Sequence, residues 1–226
     1  MPTLQRDGEV FVLDLGDGEN RFHPDWVSAV TGFLDEVAAA TGPRALVTSA
    51  TGKFWSNGLD LDWLGAHPGE LSGYVVAVQE LLARVLVFPA PTVAAVQGHA
   101  FAGGAMLALA HDWRVMRTDR GFFCLPEADI GIPFTPGMTA LIMAKLSPAA
   151  STDAMTTGRR YGGDAALQAG IVTATADESQ VLAAAVEQVR LLAGKDPAPL
   201  GVIKQRMYAG AVADLRDAST STLTNG

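Results

Sequence analysis

The most informative stretch of the chain reads His99-Ala-Phe-Ala-Gly-Gly-Ala-Met106, and Leu125-Pro126-Glu127 follows about twenty residues later. Its two adjacent glycines stand at the predicted start of a helix. Backbone N–H groups at a helix start favour a developing negative charge, and a lone carboxylate in apolar surroundings suits proton transfer. The position three residues beyond Gly103, where a second acid could stand, holds Met106. The pattern therefore predicts an oxyanion site served by one acid.

The composition predicts an ordered globular protein. The chain has 226 residues, of which 49% are hydrophobic and 18% charged, which is enough for a substantial core. With a net charge of −8, we do not expect the phosphate-neutralising surface that a nucleic-acid-binding protein needs, although a local basic pocket for a phosphorylated ligand stays open. The single cysteine, Cys124, excludes an intramolecular disulfide, and the four histidines lack zinc-type spacing, so we expect no metal. The first residues lack a signal-peptide pattern, and no apolar run reaches the ~18 residues of a membrane span, so we expect a soluble cytoplasmic protein.

Apolar periodicity and turn residues predict strands and helices that alternate over the first two thirds of the chain. The predicted strands are residues 10–15, 45–48, 92–96, 113–116, 122–124 and 171–175. The predicted helices are one that starts at Pro24, then 58–64, 71–87, 103–110, 137–146, 148–155, 163–169, 179–192 and 198–212. This alternation favours an α/β fold with at least partly parallel strands. We expect one domain over residues 1–226, with a core at about 5–190, a helical segment at about 195–215 and a frayed tail.

Two glycine-containing loops, residues 54–61 and 98–104, share a design, because each follows a strand and leads into a helix. Glycine lets the backbone approach a ligand closely. One N–H group from each loop could therefore bracket a carbonyl oxygen, and the loss of one such donor typically costs ~3–4 kcal/mol of transition-state stabilisation. The alternative is that the glycines only permit tight packing of helix on strand.

The apolar neighbours of Glu127 indicate a buried carboxyl group with a raised pKa, although a solvated loop glutamate remains an alternative. His99 lies close to the second loop, where we expect a structural hydrogen bond rather than a catalytic role. His111 and Asp112 invite comparison with a catalytic triad, but the chain has no G-x-S-x-G elbow, so a pair at a helix end or on the surface is expected.

Over roughly residues 5–215, the chain resembles the crotonase (enoyl-CoA hydratase/isomerase) superfamily. Residues 54–61 resemble its F-(S/A)-A-G-x-D-(L/I) loop, residues 98–104 its G-x-(A/C)-x-G-G loop, and Leu125-Pro126-Glu127 its P-E segment. The resemblance implies a spiral of ββα units with a helical C-terminal region for trimerisation. It also implies a homotrimer or a dimer of trimers.

The resemblance also implies the residues of the site. The N–H groups of Leu59 and Gly103 would form the oxyanion hole for an acyl-CoA thioester, with Glu127 as the catalytic acid–base group. CoA and the acyl group would lie against residues of the same loops and their neighbours, namely Arg21, Phe22, Asn57, Gly58, Asp60, Leu61, Gly104, Met106, Pro126 and Thr135. No cofactor is implied, because the CoA thioester is the substrate, and neither nucleic acid nor membrane is a partner.

The same resemblance indicates the reaction. Hydratases of the family use two glutamates, of which the second matches Glu127 and the first falls at Met106; a further acid position falls at Thr135. Moving a double bond needs only one group, which takes a proton from C2 and returns it at C4. The chain most resembles the single-glutamate Δ3-Δ2-enoyl-CoA isomerases, so we predict conversion of 3-enoyl-CoA to trans-2-enoyl-CoA. The alternatives are a hydratase, another thioester enzyme of this fold, or a catalytically silent acyl-CoA-binding protein.

Overall fold

Nine strands form two sheets in the computed structural model, which describes residues 1–220 and 223. The larger sheet has the strand order β1-β2-β3-β5-β7-β9, and the smaller has the order β4-β6-β8. The strands are β1 (Thr3–Asp7), β2 (Val10–Asp14), β3 (Ala45–Ser49), β4 (Phe54–Ser56), β5 (Thr92–Val96), β6 (His99–Phe101), β7 (Trp113–Arg117), β8 (Phe123–Cys124) and β9 (Ala174–Ala176). Only β1 and β2 pair in antiparallel fashion; the other pairs among these strands are parallel.

Eleven α-helices accompany these strands in the described part of the chain. They are α1 (Pro24–Ala39), α2 (Leu61–Ala66), α3 (Leu71–Leu86), α4 (Gly103–Ala110), α5 (Glu127–Ile130), α6 (Pro136–Lys145), α7 (Pro148–Thr157), α8 (Gly163–Gln168), α9 (Val181–Arg190), α10 (Pro197–Met207) and α11 (Ala209–Leu215). Three successive strand pairs, β3–β4, β5–β6 and β7–β8, each give one strand to each sheet and are followed by a helix. This repetition is the predicted spiral of ββα units, and the helical C-terminal region is present as expected.

The central strands of the larger sheet, β3 and β5, are buried on both faces, which explains their apolar runs. One face packs against α9 through alternating residues such as Val47 and Val93, while the other contributes Leu46 and Ala94 to the main core. Helix α4 lies within that core, and all eight of its residues are buried. Its start is therefore held rigidly, which matters because the double glycine stands there.

The predicted elements differ from the structure around the two loops and near residue 208, where the predicted helix 198–212 is two helices, α10 and α11. Strands β4 and β6 lie where the sequence indicates loops, because three-residue strands are too short to show an alternating pattern. Strand β1 was not predicted, and β9 starts three residues later than expected. Helix α2 begins at Leu61 rather than at residue 58, because Gly58 has a φ of +76° and the Asp60 side chain caps the helix.

The C-terminal helices pack against their own chain. Helix α11 lies on α3 and α6, where a Cβ on Gly137 would stand 2.6 Å from the Cα of Leu215. In α10, the buried Lys204 donates to the carbonyl of Ala90 over 2.7 Å and to the carboxylate of Asp112 over 2.5 Å.

The tail that was predicted to fray forms a short 3₁₀ turn at Ala218–Thr220, and its residues 221, 222 and 224–226 lie outside the described residues. None of the described helices is long and apolar enough to cross a bilayer.

Candidate active site

A cavity of about 300 Å³ opens where the two glycine loops meet α2, α5 and α6. Most of its wall is apolar. Eight residues that the sequence assigned to the site line it, namely Arg21, Asn57, Leu59, Leu61, Gly103, Met106, Pro126 and Glu127. The other five assigned residues, Phe22, Gly58, Asp60, Gly104 and Thr135, do not line this cavity and instead hold its walls from behind.

The two loops touch through atoms of the backbone. A Cβ built on Gly58 would lie 2.6 Å from the backbone N of Gly103, and one built on Gly103 would lie 3.4 Å from the Cα of Gly58. On the far side, a Cβ on Gly103 would also stand 2.9 Å from the ring of Phe22, and Gly104 packs against the backbone of Ser56. The glycines therefore do permit tight packing, and that packing places the backbone of Gly58 directly against the backbone N of Gly103.

The first loop pairs its backbone polar groups around Leu59. The N–H of Gly58 donates to Ser56 Oγ over 3.2 Å, and its carbonyl accepts from Phe22 N over 2.8 Å. The carbonyl of Leu59 accepts from Leu61 N over 3.2 Å. Within residues 1–220 and 223, however, the Leu59 N–H finds no acceptor. Leu59 lines the cavity, so this N–H is a candidate for binding a ligand.

The second loop presents Gly103 as the first residue of α4, where an N–H has no partner within the helix. The preceding residue, Ala102, has φ 49° and ψ −124°, a conformation that a residue with a side chain rarely adopts. Two bonds hold Ala102 there, because its N–H donates to Cys124 O over 3.0 Å and its carbonyl accepts from Met106 N over 3.1 Å. Strain of this kind is of order 1–3 kcal/mol and is typical of functional sites.

Glu127 begins α5 and is only 6% exposed. Its neighbours in the cavity wall, Met106, Ile130 and Ile132, are apolar, and its Oε2 has no hydrogen-bond partner among the described residues. Burial disfavours the charged form and raises the pKa of Glu127 to about 7. The carboxyl group is thus buried, as the sequence predicted, and the alternative of a solvated loop glutamate is wrong. It can take up and release a proton near neutral pH.

Thr135 lies behind the cavity wall and is fully buried. Its hydroxyl donates to Gln79 Oε1 over 2.6 Å and accepts from Met138 N over 3.2 Å, so that it caps the start of α6. Met138, three residues on, reaches the cavity. Thr135 therefore supports the wall, while Met106, which is 2% exposed, forms part of it.

The mouth of the cavity is charged. The Arg21 guanidinium pairs with Glu19 at 2.5 Å and with the exposed Asp62 at 2.6 Å, and both carboxylates raise the pKa of Arg21. Asn57 Nδ2 donates to Glu19 Oε2 over 3.3 Å. The sequence analysis missed Glu19, which stands only two residues before Arg21, and Asp62, which is 41 residues away from it in the chain.

Several apolar lining residues were also not predicted as part of the site. They are Phe101, Ala102, Ile130, Ile132, Pro133, Met138 and Leu223. The apolar character of the segment after Glu127 is visible in the sequence, but its approach to the loops is not. Leu223 is the least expected of these residues because it comes from the tail that was predicted to fray.

The histidines do not form a second site. His99 lies 4.9 to 5.5 Å from the rings of Phe54, Phe101 and Phe122, and its Nδ1 finds no partner among the described residues, so it packs rather than making the expected hydrogen bond. His111 ends α4 as expected, yet it is fully buried, bonded to Leu107 O and Thr48 Oγ1 at 2.8 Å each. In the described part of the chain, no group of three His, Cys, Asp or Glu side chains is placed to hold a metal.

Comparison with known proteins identifies the same family as the sequence motifs. The sequence model described as enoyl-CoA hydratase/isomerase matches residues 11–225. The Arabidopsis thaliana protein named enoyl-CoA delta isomerase 2, peroxisomal, is 39% identical over 206 residues, which cover 86% of each chain.

Two solved structures resemble the fold closely. The enoyl-CoA isomerase from Mycobacterium tuberculosis superposes with a TM-score of 0.85 at 26% identity, covering 96% of this chain and 95% of that one. Human mitochondrial Δ3-Δ2-enoyl-CoA isomerase gives a TM-score of 0.88 at 24% identity, with 98% of this chain and 92% of the human chain covered. The second likeness bears on the fold alone.

Proposed function

Because the chain belongs to the enoyl-CoA hydratase/isomerase family, we propose that it moves the double bond of a 3-enoyl-CoA to give trans-2-enoyl-CoA. The observation that carries the proposal is the single acid in the apolar part of the cavity. Of the described lining residues, only Glu127 and Asp62 are carboxylic acids, and Asp62 has 89% of its side chain exposed at the mouth. The delta isomerase from Arabidopsis supports the same activity.

In the proposed reaction, the N–H groups of Leu59 and Gly103 donate to the thioester oxygen. The Glu127 carboxylate takes a proton from C2, and the electron pair of that bond passes to the carbonyl, giving a dienolate with its negative charge on the oxygen. Protonated Glu127 then returns the proton at C4. The carbonyl re-forms, the double bond now joins C2 and C3, and every atom of the substrate is retained.

The environment of Glu127 matches this cycle. A group that first accepts and then donates a proton works best when its pKa lies near the working pH, and burial brings the pKa of Glu127 to about 7. The dienolate oxygen carries the charge that the two backbone donors stabilise, at ~3–4 kcal/mol for each donor of this kind. Acid and donors together supply what an enolisation needs.

Hydration is the main alternative, and Met106 argues against it. Water addition needs a bound water and a group that activates it, which paired carboxylates provide. The thioether of Met106 forms the wall where the family's hydratases have their other glutamate, and it makes this part of the cavity dry. Asn57, Leu61 and Arg21 stand closer to the mouth and are proposed to contact CoA.

The test compares two substrates. With 3-hexenoyl-CoA, conjugation of the double bond with the thioester raises the ultraviolet absorbance, and we expect turnover. With crotonyl-CoA, we expect little addition of water. Turnover of crotonyl-CoA alone would replace the isomerase proposal with a hydratase, and hydrolysis of either thioester would indicate a thioesterase. Thermal stabilisation by acyl-CoA with no turnover of either substrate would indicate a binding protein.

The proposal extends to assembly as a homotrimer or a dimer of trimers. Helix α10 exposes large apolar side chains, with Val202, Ile203 and Met207 at 45%, 52% and 64% exposure. Apolar side chains grouped in this way favour an interface. Sedimentation equilibrium tests the assembly, since a mass of 23.6 kDa would show a monomer and three or six times that value the proposed oligomers.

A further inference from the structure

Tyr74 is placed to hold one of the two backbone donors, although it does not line the catalytic cavity. We infer that Tyr74 is a positioning residue whose hydroxyl fixes the peptide after Leu59, so that the Leu59 N–H points at the thioester oxygen. The inference rests on the proposed function, because it assumes that this N–H serves an oxyanion.

The contact itself is specific. Tyr74 projects from α3, is 5% exposed, and accepts a hydrogen bond from the backbone N of Asp60 over 2.9 Å. Asp60 directly follows Leu59 in the chain. Its side chain in turn accepts from Trp63 N over 3.1 Å and so starts α2. The Tyr74 hydroxyl therefore ties the junction between the donor loop and α2 to the body of the protein.

The loop needs such an anchor on this side. Upstream of Leu59, Gly58 is held through Ser56 and Phe22. Downstream, α2 is a six-residue helix with no fully buried residue, and its Trp63 and Leu64 are only partly buried against the core. Helix α3, by contrast, has 16 residues, and nine of them are buried. A hydroxyl from α3 thus gives the loop a fixed point that α2 lacks.

Loss of the hydroxyl would act on the donor through the backbone. With phenylalanine at this position, the partly buried Asp60 N–H loses its acceptor and faces an apolar ring edge, so the loop shifts to bring this N–H to water. The Leu59 N–H, one peptide away, then moves off the position of the thioester oxygen. Burial raises the pKa of Tyr74 to about 12, so the hydroxyl keeps its proton and its role is the same at every assay pH near neutrality.

The kinetic test uses two matched variants. Tyr74→Phe removes this hydroxyl, and Tyr161→Phe removes another buried hydroxyl, which bonds to Asp153 away from the cavity. We expect kcat of Tyr74→Phe to fall about tenfold with an unchanged KM, as for an interaction made only in the transition state. Tyr161→Phe should keep the wild-type kcat, with both variants assayed well below their Tm. An equal kcat in wild type and Tyr74→Phe would overturn the inference.

A spectroscopic test separates positioning from general stability. A bound 2,4-hexadienoyl-CoA should absorb at longer wavelength when the two donors polarise its carbonyl, and this needs no turnover. We expect the shift in wild type and Tyr161→Phe and a smaller shift in Tyr74→Phe, at equal Kd. A full shift in Tyr74→Phe would overturn the inference even if kcat fell. Absence of the shift in wild type would instead count against the oxyanion site of the proposed function.

Discussion

The wall of the cavity that carries Leu59 and Gly103 is made of backbone, whereas the wall that carries Glu127 and Met106 is made of side chains. In the first wall, glycine contacts and hydrogen bonds hold the chain and leave two N–H groups without acceptors in the described structure. In the second, an ionisable group lies among apolar neighbours with one oxygen unpaired there. The first wall obtains its donors from the conformation of the backbone, whereas the second obtains its ionisable group from the side chains that surround Glu127.

This contrast shows how the two halves of the proposed chemistry are obtained. A donor of fixed direction comes from a backbone that close contacts and hydrogen bonds hold in place. A proton carrier of the right pKa comes from the choice of neighbours, and backbone detail matters less. Changes to the first wall should therefore act through geometry, and changes to the second through charge.

The largest effect is expected from Glu127→Gln, which removes the proton carrier and leaves the donors in place. We expect kcat for 3-hexenoyl-CoA to fall about 10³- to 10⁴-fold, in the upper range of losses of a general acid–base group, with acyl-CoA still bound. Asp129→Asn, an exposed acid on the same short helix, is the control and should retain activity. Retained activity in Glu127→Gln would remove this residue from its role.

Gly58→Ala breaks the backbone wall and leaves Glu127 unchanged. The new Cβ would lie 2.6 Å from Gly103 N, and φ of +76° does not suit alanine, so the two donors are forced apart. We expect a loss of about 10²- to 10³-fold in kcat, the range for removal of an oxyanion donor. Gly65→Ala is the control, because nothing lies within 4 Å of a Cβ there. Equal losses in both variants would mean that the contact between the loops is unimportant.

The side-chain wall also predicts a dependence of stability on pH. Burial raises the pKa of Glu127 from 4.5 to about 7, so the folded state holds this proton more tightly than the unfolded state. Stability from this group is full below pH 4.5 and is lost as pH rises to about 7, by about 3 kcal/mol in total.

Urea unfolding of wild type and Glu127→Gln at pH 4.5 and pH 8 measures that loss. Glu127→Gln should gain stability relative to wild type by up to about 3 kcal/mol between the two pH values. Parallel pH profiles for the two proteins would contradict the burial of an ionised Glu127.

Between pH 4.5 and pH 8, kcat/KM of wild type should rise with pH and level off above about 7, because the carboxylate is the active form.

The smallest effect is expected at the charged mouth, outside both walls. Asp62→Asn removes one of the three carboxylates that pair with Arg21, leaving more positive charge for the phosphates of CoA. We expect KM to fall about twofold at low salt and less at high salt, since exposed ion pairs are weak and screened. Asp164→Asn, an exposed acid on α8, should leave KM unchanged. A rise in KM would show that Asp62 helps binding.

The sequence was most informative where one short stretch determines a structure. Helix α4 and strand β5 have the predicted bounds, because a double glycine and a buried apolar run mark them locally. Burial of Glu127 followed from its apolar neighbours. Strands β4 and β6 were missed, since three residues show no period and their pairing joins residues 54 and 99.

Contacts made by single side chains across the fold could not be predicted. In the sequence, Tyr74 is one apolar position in a predicted helix. Its hydrogen bond from Asp60 N depends on where the start of α2 lies relative to α3. Thr135 aligned with an acid of the family, yet it turned out to cap α6 and to meet Gln79 inside the core. Such roles depend on distances in space that no local pattern contains.

The ion pair between Asp112 and Lys204 bears on the order in which the chain can be completed during synthesis. Asp112 accepts from Thr92 N over 2.8 Å and from Lys204 Nζ over 2.5 Å, and its side chain is 13% exposed. Its cationic partner lies 92 residues further on, close to the end of the chain. A largely buried carboxylate without its cation is unfavourable. A nascent chain therefore carries an uncompensated charge just after α4 until α10 has emerged, so α10 completes the core rather than extends it.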